Sequence, residues 1–412
     1  MNYKISKEDL FKRLEKYVSF ETTSDPNSGL HPSNKQEFDL IYALKDELLE
    51  LGLVDVYVSD YAYIYAKLPK NTDKNIKSLG FISHVDTSCD ASGKGVKIIE
   101  HKNYDGKDVT LESGLTLSTK EFPFLSLLKG RTLLTTDGTT LMGADDKAGV
   151  AEVMAVLKYL QDNKNIIHGD IYVAFTPDEE IGEGTMFFEL DKLPCDYAYT
   201  IDGSIEGEIS YENFNAASAK VTIKGLNIHP GSAKDHMKNS ILIACEFNSM
   251  LDSDAIPAKT EKYQGFNHLN NIEGSVEETK MNYIIRNHDK QKFLSQKQDF
   301  IDITNKLNKK YGKDTVILDL KDSYYNMFDI IKDKMEVVDV AKTAIEKAGI
   351  KPYIEPIRGG TDGASLTYKG LVCPNLGTGG FNFHGKYECI SLEGMQIAAE
   401  VILNIILELA KQ

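Results

Sequence analysis

The stretch LGFISH at residues 79–84 is a short, almost wholly apolar run that ends in a histidine. Similar runs occur at residues 171–175 (IYVAF) and 197–201 (YAYTI), and residues 148–160 between them have helical periodicity. Apolar runs of this length are typical of strands that are covered on both faces, and strands alternating with helices are typical of α/β proteins. We therefore predict an α/β domain with a two-sided, largely parallel sheet.

The composition is that of a folded globular protein. Of 412 residues, 42% are hydrophobic and 26% are charged, and the length predicts two or three domains. Lys and Arg number 47 and Asp and Glu 62, giving a net charge of −15. Any basic patch would lie in a repulsive overall field, so we expect no nucleic-acid partner. We expect no membrane partner and a cytoplasmic location, because no apolar stretch reaches about 18 residues and the amino terminus lacks a signal peptide.

Residues 212–322 follow a different pattern from the rest of the chain. Their periodicity predicts the order β-α-β-β-α-β, with strands near 217–223, 268–275, 280–287 and 315–320 and helices near 235–251 and 291–311. This is the order of a ferredoxin-like unit. We predict a first domain made of residues 1–211 and 323–412, with residues 212–322 inserted as a second domain.

The first polar motif, His84-Val85-Asp86-Thr87, follows the apolar run of residues 79–84 directly. A period of two places His84 and Asp86 on one face at the carboxyl end of a strand, where α/β proteins usually bind ligands. One interpretation is a metal-binding histidine with a carboxylate that orients it. The other is a strand end with two solvated polar residues.

Two acidic motifs follow, and each also has a plain structural interpretation. In LMGADDKAG (141–149), Asp145 and its neighbour could bind a cation or could cap the helix that follows. In TPDEEIG (176–182), one of Glu179 and Glu180 could bind a metal while the other takes a proton from water. A solvated acidic loop is the alternative for this second motif.

Asp202, at the end of the run 197–201, and His384, in the glycine-rich segment that begins at Gly377, complete the pattern. Each is weak evidence alone, but together the motifs give two histidines and several carboxylates on one side of a sheet. Two histidines and three carboxylates suit zinc, manganese or cobalt better than calcium or magnesium. The residues thus indicate a hydrolase in which a shared carboxylate allows two metal ions about 3.5 to 4 Å apart.

The motifs HVDT, LMGADDKAG, TPDEEIG, TIDG and GGFNFHGK occur in an order that resembles the dizinc metallopeptidases, the family that also holds carboxypeptidases, acylases and dipeptidases. The segments YVSFETTSD, GLNIHPGSAK, YIIR and IRGGTDGA extend the resemblance over nearly the whole chain, and they are most similar to the aminotripeptidase branch. Departures are few; one is Asn287-His288-Asp289 after YIIR, where relatives often carry an acidic residue.

The resemblance implies a set of five metal ligands and two catalytic carboxylates. Two Zn²⁺ ions per chain, with Co²⁺ or Mn²⁺ as possible substitutes, would be bridged by Asp145 and by a hydroxide. Glu179 would be the general base and Asp86 would orient a ligand; family members often have a cis peptide bond after the bridging aspartate. The implied ligands are His84, Asp145, Glu180, Asp202 and His384.

The resemblance also implies substrate-binding residues and a role for the inserted domain. His229 resembles a histidine that stabilises the oxyanion, and Arg286 and Arg358 resemble residues that bind the substrate carboxylate, to which a guanidinium is well matched. Asn382, beside the histidine of GGFNFHGK, is a further candidate. The inserted domain would act as a lid and as a homodimer contact.

The predicted activity is therefore removal of the amino-terminal residue from tripeptides. A dipeptidase or an N-acyl amino acid amidohydrolase of the same family is the nearest alternative. A peptide-binding module with structural metals is a third hypothesis, which we disfavour because structural zinc sites are usually closed and rich in cysteine. The five cysteines are scattered, with no CxxC pair.

Overall fold

The structure is a computed structural model that describes residues 4–411. The chain forms two compact units. The first comprises the chain up to Tyr211, Ile330–Glu355 and the chain from Thr361 onward; the second comprises Glu212–Asp329 and Pro356–Gly360. The second unit therefore includes more of the chain than residues 212–322, because its last strand runs on to Tyr324 and a short segment near residue 358 also belongs to it.

The helices and strands of both units are numbered together in chain order, and most of them belong to the first unit. The helices are α1 (Lys7–Val18), α2 (Glu37–Glu50), α3 (Ala144–Asp162), α4 (Ser240–Ser249), α5 (Lys290–Tyr311), α6 (Phe328–Ile331), α7 (Glu336–Lys347), α8 (Asp362–Tyr368) and α9 (Leu392–Leu409). The strands are β1 (Val54–Val58), β2 (Ile64–Leu68), β3 (Leu79–His84), β4 (Ile99–His101), β5 (Val109–Thr110), β6 (Thr116–Leu117), β7 (Leu133–Thr135), β8 (Ile171–Thr176), β9 (Tyr197–Gly203), β10 (Glu208–Ser210), β11 (Asn215–Lys224), β12 (Phe266–Gly274), β13 (Glu278–Asn287), β14 (Val316–Tyr324), β15 (Tyr353–Ile354), β16 (Asn375–Gly377), β17 (Gly380–Phe381) and β18 (Cys389–Ser391).

The main sheet of the first unit is mixed. Its strand order is β1-β2-β8-β3-β9-β16-β10-β15. The central strands β8, β3, β9 and β16 are parallel to one another, whereas β1 with β2, β2 with β8, and β16 with β10 are antiparallel. β10 and β15 are parallel as well, so four of the seven neighbouring pairs are parallel and three are antiparallel. The sheet is mixed, and the prediction of a largely parallel sheet is met only in part. β1 and β2 are antiparallel because the turn that joins them is too short for a parallel connection.

Helices cover both faces of this sheet at its centre. On β3, Ser83 points toward α3, where a Cβ added to Gly149 would lie 2.8 Å from its Oγ. The neighbouring Ile82 points to the opposite face and packs with Leu366 of α8. Burial on both faces explains why every residue of β3 is buried, and why its sequence is an unbroken apolar run.

The second unit is a four-stranded antiparallel sheet with two helices. Its strand order is β12-β13-β11-β14. The helices α4 and α5 pack against β13 and β11. Phe247 of α4, Tyr283 of β13 and Phe300 of α5 form the aromatic centre of a buried core.

Within residues 4–411, no helix is both long enough and apolar enough to cross a membrane.

Candidate metal centre and active site

The predicted metal ligands lie at the ends of the central strands and in the loops beside them. His84 is the last residue of β3, and Asp202 lies near the end of β9. Glu180 lies in a single helical turn, Glu179–Ile181, that follows β8. Because β8, β3 and β9 are adjacent and parallel, their carboxyl ends meet at one edge of the sheet, where ligands bind in such folds.

The five residues form two groups that share Asp145, and within each group the ligand atoms lie within 4.8 Å of one another. In the first group, His84 Nε2 is 3.0 Å from Asp145 Oδ1 and 3.4 Å from Asp202 Oδ1. In the second, His384 Nε2 is 3.0 Å from Asp145 Oδ2 and 2.9 Å from Glu180 Oε2. The two oxygens of one carboxylate thus face different donor groups, which is the arrangement that a shared ligand requires.

Asp86 connects the histidine strand to the glutamate turn. Its Oδ1 accepts the backbone N–H of Glu179 at 3.0 Å, and its Oδ2 accepts that of Glu180 at 3.1 Å. The same Oδ1 lies 3.3 Å from His84 Nδ1. Asp86 is fully buried, so it holds the imidazole of one group and the backbone beside a carboxylate of the other.

Asp145 is the second residue of α3 and has a non-helical conformation, and the Asp145–Asp146 peptide bond is cis, as the resemblance implies. Asp146 belongs to neither donor group and is buried. Its Oδ2 accepts the backbone N–H of His84 at 3.1 Å, and its Oδ1 accepts that of Gly149 at 3.2 Å. Asp146 therefore ties the start of α3 to the end of β3.

Two buried carboxylates beside the centre were not predicted from the sequence. Asp178, at the start of the glutamate turn, accepts the backbone N–H of Ser33 with both oxygens, at 3.0 and 2.9 Å, and lies 3.0 Å from His31 Nδ1. Glu388 accepts three backbone N–H groups of residues 142–145. For Asp178 the signal was its place in TPDEEIG, whereas Glu388 stands in no motif that would single it out.

Electrostatics in the centre are those of a site built for cations. Burial, and then repulsion by Asp202, raise the pKa of Glu179 well above its ordinary value. Burial also raises the pKa of Glu180 to about 7 and that of Asp202 to about 6. Hydrogen bonds to Asp145 and Glu180 raise the pKa of His384 to about 11. The crowded carboxylates thus stabilise positive charge, which in the absence of a metal is that of a protonated imidazole.

The donor set fits divalent metal ions of the zinc type. Each group contains one imidazole nitrogen and two carboxylates, a mixture that suits zinc, cobalt or manganese. Glu180 Oε1 is buried without a hydrogen-bond partner among the described residues. An unsatisfied buried oxygen is costly, and a cation would remove that cost.

The predicted substrate-binding residues make contacts inside their own units. In the first unit, Asn382 Nδ2 donates to the backbone oxygen of Tyr387 at 3.2 Å. In the second unit, His229 is exposed and its Nδ1 accepts the N–H of Gly231 at 3.2 Å.

The two predicted arginines both stack on aromatic rings of the second unit. Arg286 lies over the ring of Tyr324, with 5.1 Å between its Cζ and the ring centre, and donates to the backbone oxygen of Ile285 at 3.1 Å. Arg358 lies over Phe214 and donates to the backbone oxygens of residues 262 and 264 at 2.6 and 2.9 Å. Substrate binding by these residues stays a prediction.

Comparison with known proteins identifies the family of this chain. Residues 135–408 match the model of peptidase family M20/M25/M40. The chain belongs to this peptidase family. Over 397 residues it is 54% identical to peptidase T of Clostridium perfringens, an alignment that covers 96% of this chain and 97% of the relative. As a family member the protein is a metallopeptidase, a hydrolase of peptide bonds with a dinuclear metal centre.

Solved structures of this family share the fold. Aminopeptidase PepT from Bacillus cereus superposes with a TM-score of 0.80 at 23% identity, over 98% of this chain and 99% of that one. A tripeptidase from Staphylococcus aureus gives a TM-score of 0.79 at 22% identity, over all of both chains. The M20/M25/M40 fold thus extends over the whole described chain.

Proposed function

We propose that this metallopeptidase is a zinc-dependent aminotripeptidase, which hydrolyses the amino-terminal peptide bond of tripeptides. The observation that carries the proposal is the pair of donor groups that share Asp145, with Glu179 next to a residue of one group. A hydrolase with two metal ions needs this arrangement, because one carboxylate must serve both ions while another carboxylate remains free for proton transfer.

The proposed ligands are His84 and Asp202 for one ion, Glu180 and His384 for the other, and Asp145 for both. Bound zinc ions would act as Lewis acids that lower the pKa of water and polarise the scissile carbonyl. Glu179 takes the proton of the attacking water and passes it to the leaving amine.

The tripeptide preference is supported by the relatives. One relative at 54% identity is peptidase T, and structural neighbours are described as an aminopeptidase and a tripeptidase. On the basis of the resemblance, the proposed substrate-binding residues are His229, Arg286, Arg358 and Asn382. We also propose that the inserted domain acts as a lid and forms a homodimer contact, and that the protein is cytoplasmic.

The decisive experiment measures release of the amino-terminal residue from an unblocked tripeptide by the purified protein. Parallel reactions contain the N-acetylated tripeptide, a dipeptide and an N-acetyl amino acid. We expect fast release from the free tripeptide alone, loss of activity after chelation and recovery with zinc. Preferential cleavage of a dipeptide or of an acylated amino acid would instead identify a dipeptidase or an amidohydrolase.

A further inference from the structure

Glu388 is a buried carboxylate whose partners are all backbone N–H groups. Its Oε2 accepts from Met142 at 2.6 Å and from Gly143 at 2.9 Å, and its Oε1 accepts from Asp145 at 3.1 Å. Glu388 is 2% exposed, and no Lys or Arg nitrogen of residues 4–411 lies within 4.0 Å of it. The buried Lys147 attracts it from a greater distance, while its Nζ donates to the backbone oxygen of Phe20. Both oxygens are therefore committed to one short segment, the one that presents Asp145.

Glu388 follows His384 by four residues, in a loop that is closed by its own hydrogen bonds. Asn382 Nδ2 donates to the oxygen of Tyr387 at 3.2 Å, and the N–H of Glu388 donates to the oxygen of Gly385 at 3.1 Å. His384 has a left-handed backbone, with φ of +65°. The loop thus carries His384 and Glu388 as one closed segment.

The two segments meet twice. Glu388 binds the backbone around Asp145, and His384 Nε2 lies 3.0 Å from the Asp145 carboxylate. The residues are more than 200 positions apart in the chain, so nothing local sets the distance between the imidazole and the carboxylate. His384 itself is a poor anchor because its side chain is 44% exposed.

We propose that Glu388 is a positioning residue, which sets the separation of His384 and Asp145 and so completes the metal group Asp145–Glu180–His384. The inference rests on the metal centre of the proposed function, but it does not depend on which peptide is cleaved. It assigns to the centre a further carboxylate, one that belongs to neither donor group.

The fold predicts that losing the Glu388 contacts affects the two metal groups unequally. His84 and Asp202 lie on β3 and β9, which are neighbouring strands joined by backbone hydrogen bonds. Their separation is therefore set by the sheet, whereas His384 reaches the centre from a loop. Loss of the Glu388 contacts should weaken the group that contains His384 more than the group that contains His84.

The test is a metal titration of the Glu388→Gln variant. Glutamine keeps the shape but puts an NH₂ group against a backbone N–H, so at least one of the three hydrogen bonds is lost. Glu393→Gln is the control, because Glu393 also accepts a backbone N–H, that of Thr132 at 2.7 Å, away from residues 142–145. Glu393 is in addition paired with Lys7 Nζ at 2.8 Å, so the control loses a hydrogen-bonded charge without touching the segment that presents Asp145. Metal-free protein is titrated with Co²⁺ and followed by visible absorption and by equilibrium dialysis.

We expect the parent and Glu393→Gln to bind two equivalents, and Glu388→Gln to bind one equivalent normally and the second about 10- to 100-fold more weakly. Excess Co²⁺ should restore the second spectral component. Two equivalents bound as tightly as in the parent would overturn the proposal. Equal weakening of both equivalents, with a matching loss of thermal stability in the metal-free protein, would also overturn it and leave a general structural role.

If Glu388→Gln does not fold, Glu388→Asp becomes decisive, since it keeps the charge and withdraws the carboxylate by one methylene. Selective weakening of one equivalent supports positioning, and unchanged binding of both refutes it. The readout is metal affinity, so a parent protein that binds two ions but does not cleave tripeptides would refute the proposed substrate while leaving this inference intact.

Discussion

Asp86 Oδ1 accepts the backbone N–H of Glu179 at 3.0 Å. The resemblance assigns to Asp86 only the orientation of His84, yet the structure gives the carboxylate this second task. The same oxygen lies 3.3 Å from the imidazole of His84, a proposed metal ligand. Asp86 therefore fixes the position of the proposed base relative to that ligand. It acts through both neighbours and is therefore a positioning residue.

Replacement of Asp86 by Asn should lower kcat with little change in KM. The amide can accept only one of the two backbone N–H groups now bound, at Glu179 and Glu180. A hydrogen bond to a charged group contributes about 1.5 to 3 kcal/mol, so a loss of about 10- to 100-fold in kcat is expected. Steady-state kinetics on a tripeptide measures it, and a change in KM alone would contradict the positioning role.

Glu179→Ala should abolish most of the turnover while both metals remain bound. General acid–base catalysis contributes about 10²- to 10⁴-fold, and Glu179 is not a member of either metal group. Turnover is measured together with the metal content of the same sample by elemental analysis. Full activity with two metals bound would rule Glu179 out as the base.

Binding of zinc to the metal-free protein at pH 7 should release protons. Hydrogen bonds to carboxylates raise the pKa of His384 to about 11, and burial raises that of Glu180 to about 7, so before the metal binds His384 is protonated and Glu180 is about half protonated. Ligation requires the unprotonated forms, so affinity should rise with pH. Calorimetry in buffers of different ionisation enthalpy counts the protons; net proton uptake would contradict the assigned ligands.

Zinc should also stabilise the fold, and magnesium should do so far less. A ligand that binds only the native state stabilises it by an amount that grows with the ratio of its concentration to Kd. Each metal group includes a histidine, which magnesium disfavours. Thermal unfolding of the metal-free protein with either ion is the measurement, and equal shifts in Tm would argue against these donor groups.

Gly149→Ala should destabilise the first unit. A Cβ at this position would lie 2.0 Å from the backbone oxygen of Ile201 and 2.4 Å from Asp146 Oδ1, so α3 would be pushed away from β9. Overpacking of this kind costs about 1 to 3 kcal/mol or more. Gly359→Ala is the control because a Cβ there meets no atom within 4 Å. Denaturant midpoints compare the two, and equal values would contradict the close packing.

Local pattern was sufficient for the central elements. The apolar run 79–84 has the same bounds as β3, and the runs 171–175 and 197–201 lie within β8 and β9, because their side chains are buried in the sheet. The helix predicted over 235–251 is shorter, at Ser240–Ser249. Asn239 caps it by accepting the N–H groups of Ile241 and Leu242, at 3.0 and 3.3 Å.

The sequence by itself determined which side chains are available for the chemistry, since His84, Asp145, Glu180, Asp202 and His384 each stand in a motif that can be read locally. Only the tertiary structure decided that Asp145 faces two donor groups, that the sheet is mixed, and that Asp86 and Glu388 hold the backbone of the centre. The physical reason is that these contacts join residues far apart in the chain. A carboxylate that accepts backbone N–H groups leaves no pattern in the segment that donates them.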